Sequence, residues 1–485
     1  MEARARLGLG LLAAGAVLGI LGDTLFYGRP LGLNAGLWAA VFVATLAVLL
    51  RVGRVPLHQG RRLMAAPLLL FAALFAWHDS PLLQAVNAFA IAGAVAVGAL
   101  RRTGRRVAHA GVDDYVAGAV TAGASTIVGA AELMQRDVPW QEVRRSLRAP
   151  GVAVVARGLA LGFPLLVVFA ALFAAADAVF ENLLTSAVPT LPDAWWPQAA
   201  FGVGVAWASA GLLRDLLATR EGDRVISPAA AAPRLRAAEL AVALGAVDLL
   251  FLVFVLVQVR FLFGGRDLVE ARVGLTYAEY ARHGFFQLVV VSVLVLLLVL
   301  GVDAVLQGTK RQVKLVRTLA LVLIALVGVV IASALQRLWL YQQEFGLTEL
   351  RTYATGVVLW LAVVFAWLAV TVLRGRRHLF ATGAVVAGFA ATLALNVLNP
   401  DALIARTNVA RSNVDVPYLA SLSDDAVPTL LARLPALDPW LRRPLARALL
   451  QRRPERGGVL SWNRSRSRAR SLLAAHRDDL RQLSR

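Results

Sequence analysis

Glu279 and His283 stand four residues apart in TYAEYARHGFFQL, a spacing that puts a carboxylate and an imidazole on one face of a helix. Such a pair can exchange a proton or respond to pH. Tyr277, Tyr280 and His283 recur every third residue, with Arg282 beside them. The competing reading is an amphipathic lead-in to the next apolar run, its tyrosines anchored among lipid headgroups. A second polar stretch, NPDALIARTNVARSNVDVPYLASLSDDAVP, carries Asn399, Asp401, Arg406, Asn408, Arg411, Asp415, Tyr418 and Asp424. Asn399 before Pro400 predicts a helix N-cap with proline at the first helical position. These polar residues read either as a recognition surface or as caps and surface charges of a small helical unit. A third group comprises Asp23, Asp177, Asp248 and Gln258, which fall inside or at the ends of apolar runs. A carboxylate at mid-bilayer costs roughly 2.5–3.5 kcal/mol on insertion scales, which makes it a functional candidate. Asp248 is placed nearest the middle of its run, and the others sit near wet helix ends.

Several chemistries have no motif here. There is no GxxxxGK[ST] phosphate loop, no GxSxG nucleophile elbow and no HExxH among the six histidines. Cysteine is absent, which excludes disulfides, thiolate metal sites and cysteine nucleophiles. No cofactor and no metal site are expected.

The elements that must position these residues are membrane helices. The chain has 485 residues, 59% of them hydrophobic and 16% charged, against roughly 25% charged in a soluble chain. Mean hydropathy is +0.67. About 20 apolar residues span the hydrocarbon. Runs of that order lie near residues 7–26, 31–50, 63–79, 82–100, 159–179, 198–213, 239–262, 285–306, 316–336, 353–373 and 379–398. This predicts an all-α polytopic bundle of about eleven transmembrane helices (residues 1–398), followed by a small helical tail (residues 399–485). Arg4 and Arg6 before the first run resemble a signal-peptide start, but a second run follows at once, so the first reads as a retained helix.

Residues 112–133 could also span. Short cytoplasmic loops collect Lys and Arg. If 112–133 stays out of the hydrocarbon and the N-terminus is inside, basic residues gather in segments 1–6, 51–62, 101–157, 214–236, 310–317 and 374–377. The opposite loops are then poor in them. If 112–133 crosses, the bias vanishes. The expectation is therefore an interfacial or cytoplasmic segment over 101–158, with the tail and the YAEYARHGFF stretch together beyond the membrane. The formal charge of +20 comes almost wholly from arginine, Lys310 and Lys314 being the only lysines. With aromatic interleaving sparse, this suits anionic lipid headgroups rather than nucleic acid.

Together, LGDTLFYGRPLGLN, TYAEYARHGFFQL and the NPDALIARTN…DVPYL tail resemble the bacterial domain-of-unknown-function 4173 family, to which the domain-of-unknown-function 4153 group is related. The resemblance runs from about residue 10 to about residue 460. It implies a bacterial multi-pass membrane protein and assigns no catalytic residues.

Three functions are consistent with these features. The foremost is a signalling, assembly or envelope-homeostasis protein of the cell membrane, whose extracytoplasmic face recognises a protein partner. The second is a proton- or cation-coupled transporter using Asp248, Gln258, Asp23 and Asp177. The third is a membrane-embedded enzyme on a lipid-linked substrate, with Glu279, His283, Asp401 and Asp415 as acid–base groups; on balance an enzyme is disfavoured.

Overall fold

The computed structural model describes residues 3–55, 57, 59–100, 107, 110–138, 195–217, 235–263, 285–374, 376, 379–411, 414–453 and 458–484. The apolar runs become helices: α1 (Ala3–Phe26), α2 (Leu33–Val52), α3 (Gln59–Leu74), α4 (Pro81–Gly98), α5 (Val112–Glu132), α6 (Trp195–Leu217), α7 (Ala237–Phe263), α8 (Phe285–Val305), α9 (Lys310–Phe345), α10 (Glu349–Leu373) and α11 (Phe380–Leu398). Shorter helices make up the tail: α12 (Pro400–Val409), α13 (Val416–Ser421), α14 (Val427–Arg433), α15 (Pro439–Gln451), α16 (Arg464–Ala475) and α17 (Arg477–Leu483), with short 3-10 turns between some of them. Strand structure among the described residues is a two-residue parallel pairing of Leu235 with Leu306 and Arg236 with Gln307.

The protein is thus an all-α polytopic membrane protein. Nine described helices are long and apolar enough to cross a membrane. α3 and the apolar part of α8, Leu288–Val302, are shorter, and the run at 159–179 lies outside the described residues.

Burial divides the chain into three cores. One joins α1 to α6 around Leu18, Phe42, Met64, Leu133 and Leu213. A second joins α7 to α11 around Leu244, Leu323, Val327 and Leu361. The third belongs to the tail, centred on Ile404, Leu419, Leu430, Leu445 and Ala469. Outward-facing apolar residues such as Ile20, Phe89, Val242 and Val397 are exposed on the bundle flanks, as a lipid-facing surface requires.

Small residues bring helices close in the first half. A Cβ on Gly15 would stand 2.7 Å from Ala210 Cβ, and Gly19 faces Ala206 one turn away. The GxxxG spacing therefore packs α1 on α6 inside the chain. The two halves meet where α4 crosses α11. There Asn396 Nδ2 donates to Asn87 Oδ1 at 2.7 Å and Asn87 Nδ2 returns a bond of 3.2 Å. A reciprocal amide pair satisfies both side chains where no water is at hand.

Helix α5, with its terminal π-turn Leu133–Asp137, has the length and composition of a span. Its contacts add a fact that hydropathy cannot supply. Its first turn meets the start of α11, through Tyr115 Oη and Thr382 Oγ1 at 3.1 Å. Its last residues meet Arg214 near the end of α6, with Glu132 at 2.5 Å and Asp137 at 2.6 Å. Asp137 also abuts Gly8 in α1. All these partners belong to the end of the bundle opposite the tail, so both termini of α5 abut that end.

Candidate functional site

The tail leaves the bundle through one residue. Asn399 takes the left-handed conformation (φ 51°, ψ 80°), which asparagine tolerates better than most residues. It ends α11 and caps α12, its Oδ1 accepting from Ala402 N at 3.3 Å, and Pro400 supplies the preset first turn. The chain therefore folds back across the helix ends that carry the α1–α2, α3–α4 and α9–α10 turns.

Asp425 joins the tail to this end of the bundle. Its carboxylate enters the α3–α4 turn, where Oδ2 accepts from Asp79 N at 2.7 Å and Ser80 N at 3.0 Å. Oδ1 lies 2.8 Å from His78 Nδ1 and accepts from Ser465 Oγ at 2.5 Å. Asp425 and His78 are both buried. Burial alone would raise the Asp425 pKa, but the bonds from His78, Ser465 and Asp79 overcome that and hold it below the usual carboxylate range. Asn463 Nδ2 donates to the carbonyls of Phe75 and His78, each at 2.8 Å, so the start of α16 grips the same turn. A cavity of about 80 Å³ borders the pair, lined also by Trp77, Arg464 and Arg468.

Asp401 is fully buried nearby. Ser423 N donates to its Oδ2 at 3.1 Å. Ser80 and Tyr353 lie in the same neighbourhood. Desolvation pushes the Asp401 carboxyl above its ordinary pKa, and the charge of Asp425 adds to that. Asp424 points the other way, into the tail, where Arg452 Nε donates to it at 2.8 Å. Burial raises its pKa, although Arg452 opposes this.

The α9–α10 turn is held from three sides. Asn408 accepts from Leu347 N at 2.8 Å and donates to Leu347 O at 2.7 Å. Arg411 Nη2 donates to the carbonyls of Gln343 and Glu344, each at 2.6 Å. A cation on the last carbonyls of α9 also complements the helix dipole. Tyr418 Oη accepts from Glu349 N at 2.8 Å, and burial raises the phenol pKa.

The candidate residues read from the sequence thus separate. Asn399, Asp401, Asn408, Arg411, Tyr418 and Asp424 gather at or behind the junction of tail and bundle. Asp415 caps α13, accepting from Tyr418 N at 3.0 Å, and Arg406 is exposed. Asp23 is remote from them, accepting from Gln198 Nε2 at 2.8 Å and so tying α1 to α6. Asp248 is buried in α7, and neither carboxylate oxygen has a hydrogen-bond partner among the described residues. Gln258 lies in α7 with its side chain outside the described part, and Asp177, Tyr277, Glu279, Tyr280, Arg282 and His283 lie outside the described residues altogether.

Sequence reasoning missed the bundle's share of the junction: His78, Ser80, Glu349 and Tyr353, and with them Ser465 and Asn463 of the tail. Only the polar triplet His78–Asp79–Ser80 between two apolar runs signalled anything, and it reads equally as a wet loop. The cluster is also not built for nucleophilic chemistry. In a Ser–His–Asp arrangement the hydroxyl bonds the imidazole, whereas Ser465 bonds the carboxylate.

These features define a multi-pass helical membrane protein whose folded C-terminal unit is fastened to one end of its bundle. The family model of a domain of unknown function (DUF4153) matches residues 65–432, and the chain belongs to that family. The 4173 family expected from the sequence motifs is not shown by this match. No curated protein and no solved structure matches the chain.

Proposed function

We propose that this is a signalling, assembly or envelope-homeostasis protein of a bacterial cell membrane, in which the bundle holds the tail as a fixed platform for a protein partner. The observation that carries this reading is the Asp425 carboxylate, buried in the α3–α4 turn and fully bonded there. A tail clasped this way is presented in one orientation, which suits recognition by shape. A groove of about 830 Å³ between the end of α9 and the tail, with Phe345, Arg411, Asp415, Trp440 and Pro444 in its lining, is the surface offered.

The loop charges favour an N-terminus inside and the tail outside. The contacts of α5 support the same reading, because a helix whose ends both abut the tail-distal side leaves the order of the later spans unflipped. Topology reporters after residues 138 and 485 test it: the first reads inside and the second outside.

Partner recognition is tested by crosslinking from a photoreactive residue at Phe345, which lines the groove from the bundle side. The adduct forms in the intact protein and is lost when residues 412–485 are removed, while the bundle still inserts. Undiminished adduct formation after that deletion excludes the reading.

A second reading, coupled transport, has one observation in its favour: Asp248, a buried carboxyl in a membrane helix without a partner among the described residues. It requires that Asp248→Asn abolish proton-coupled uptake into vesicles without changing the folded yield.

A further inference from the structure

The last turn before α16 carries an apolar surface that is exposed among the described residues. In Gly458–Trp462, Val459 is 84% exposed, Trp462 45% and Leu460 37%. Leu31 and Trp77, on the α1–α2 and α3–α4 turns, are exposed as well.

This surface is held in place by the backbone around it. Leu33 N donates to Trp462 O at 2.8 Å, and Arg464 N donates to Ala76 O at 2.8 Å. Arg466 Nη2 donates to Leu31 O at 2.5 Å and to Ser461 O at 3.1 Å. Gly32 lies so close to the Ser461 and Trp462 carbonyls that a Cβ there would sit 2.5 Å from Trp462 O. The turn is therefore pinned to the ends of two membrane hairpins, at the level where their apolar helices stop. Just along those helices, Ile20, Leu37 and Leu70 face outward, so the patch continues the lipid-facing surface by one more layer.

Its chemistry suits that layer. Tryptophans set apolar bodies and polar edges at the headgroup level, and arginines extend their charge to the water side. Arg464 stacks over the Trp77 ring at 4.1 Å, exposed Arg468 borders the same small cavity as Trp77, and Arg29 on the α1–α2 turn is exposed. Contiguous apolar patches are rare on surfaces that meet only water.

We propose that the Val459–Trp462 turn, with Leu31, Trp77 and Arg464, is a membrane-interface anchor that seats the tail in the headgroup layer of an anionic phospholipid bilayer. The tail then has two attachments, the buried junction with the bundle and this contact with lipid.

The chain lacks cysteine, so Val459→Cys and, separately, Leu460→Cys each give one attachment point for a fluorescent probe. The full-length protein is labelled and reconstituted in vesicles of phosphatidylcholine and phosphatidylglycerol. Nitroxide carried on the lipid quenches both probes, with a depth of roughly 5–10 Å into the headgroup and acyl boundary, and a water-soluble nitroxide quenches them weakly. Replacing phosphatidylglycerol by phosphatidylcholine alone lowers the lipid-borne quenching. If the aqueous quencher reaches both probes as it reaches free dye and the lipid-borne one does not, the proposal is wrong. Energy transfer between differently labelled copies would overturn it too, since the patch would then join two copies of the chain.

Discussion

His78 and Asp425 lie 347 positions apart in the chain, yet their side chains meet at 2.8 Å with both partners buried. The contact fastens a tail residue to a turn between two membrane helices. Removing one member of a buried pair leaves the other uncompensated, at a cost of about 3–5 kcal/mol. Asp425→Ala is expected to free the tail from the bundle by that order. Asp425→Asn costs less, since its amide oxygen still accepts from Asp79 or Ser80 N–H. Hydrogen exchange of α14 and α16 in nanodiscs measures this, and equal protection in all three proteins would contradict it.

The junction is expected to be tightest at mildly acidic pH. Asp425 titrates below its ordinary value. Its stabilisation is complete above the unfolded carboxylate pKa of about 3.9 and is lost as pH falls through the folded value. Asp401 titrates above its ordinary value. The folded state therefore holds its proton longer, and the stability it contributes declines as pH rises from about 3.9 through the folded pKa. Tail protection followed from acid to neutral pH should pass through a maximum, and Asp401→Asn should flatten the limb on the neutral side.

Asn87 and Asn396 form a coupled pair. Each single change to alanine strands the other amide and costs about 1–2 kcal/mol. The double change costs less than the sum of the singles. Thermal unfolding of the four proteins in one detergent gives the cycle, and strict additivity would show that the amides act independently.

Within α6, two glycines should respond oppositely to alanine. A Cβ on Gly211 would collide with the Ser125 carbonyl of α5, whereas one on Gly204 would meet nothing within 4 Å. Gly211→Ala forces the two helices apart and lowers the melting temperature. Gly204→Ala leaves it unchanged or slightly higher, because alanine is the better helix former by about 1 kcal/mol.

Hydropathy and local capping signals were enough for the architecture. Runs such as 353–373 and 379–398 become α10 and α11 because backbone groups in hydrocarbon must be bonded within their own segment, and only a helix does so. The start of the tail was equally legible, since an asparagine cap followed by proline is settled within four residues. The junction was not legible, because packing assigns its partners. Asp424 and Asp425 are adjacent and chemically identical, yet one bonds Arg452 inside the tail and the other His78 in the bundle. That division depends on which way each side chain leaves one turn, and on a turn hundreds of residues away being there to receive it. Similarly, hydropathy treats α5 as it treats any span. Where its ends lie is fixed by Thr382, Arg214 and Gly8, and those contacts exist only once the other helices have packed.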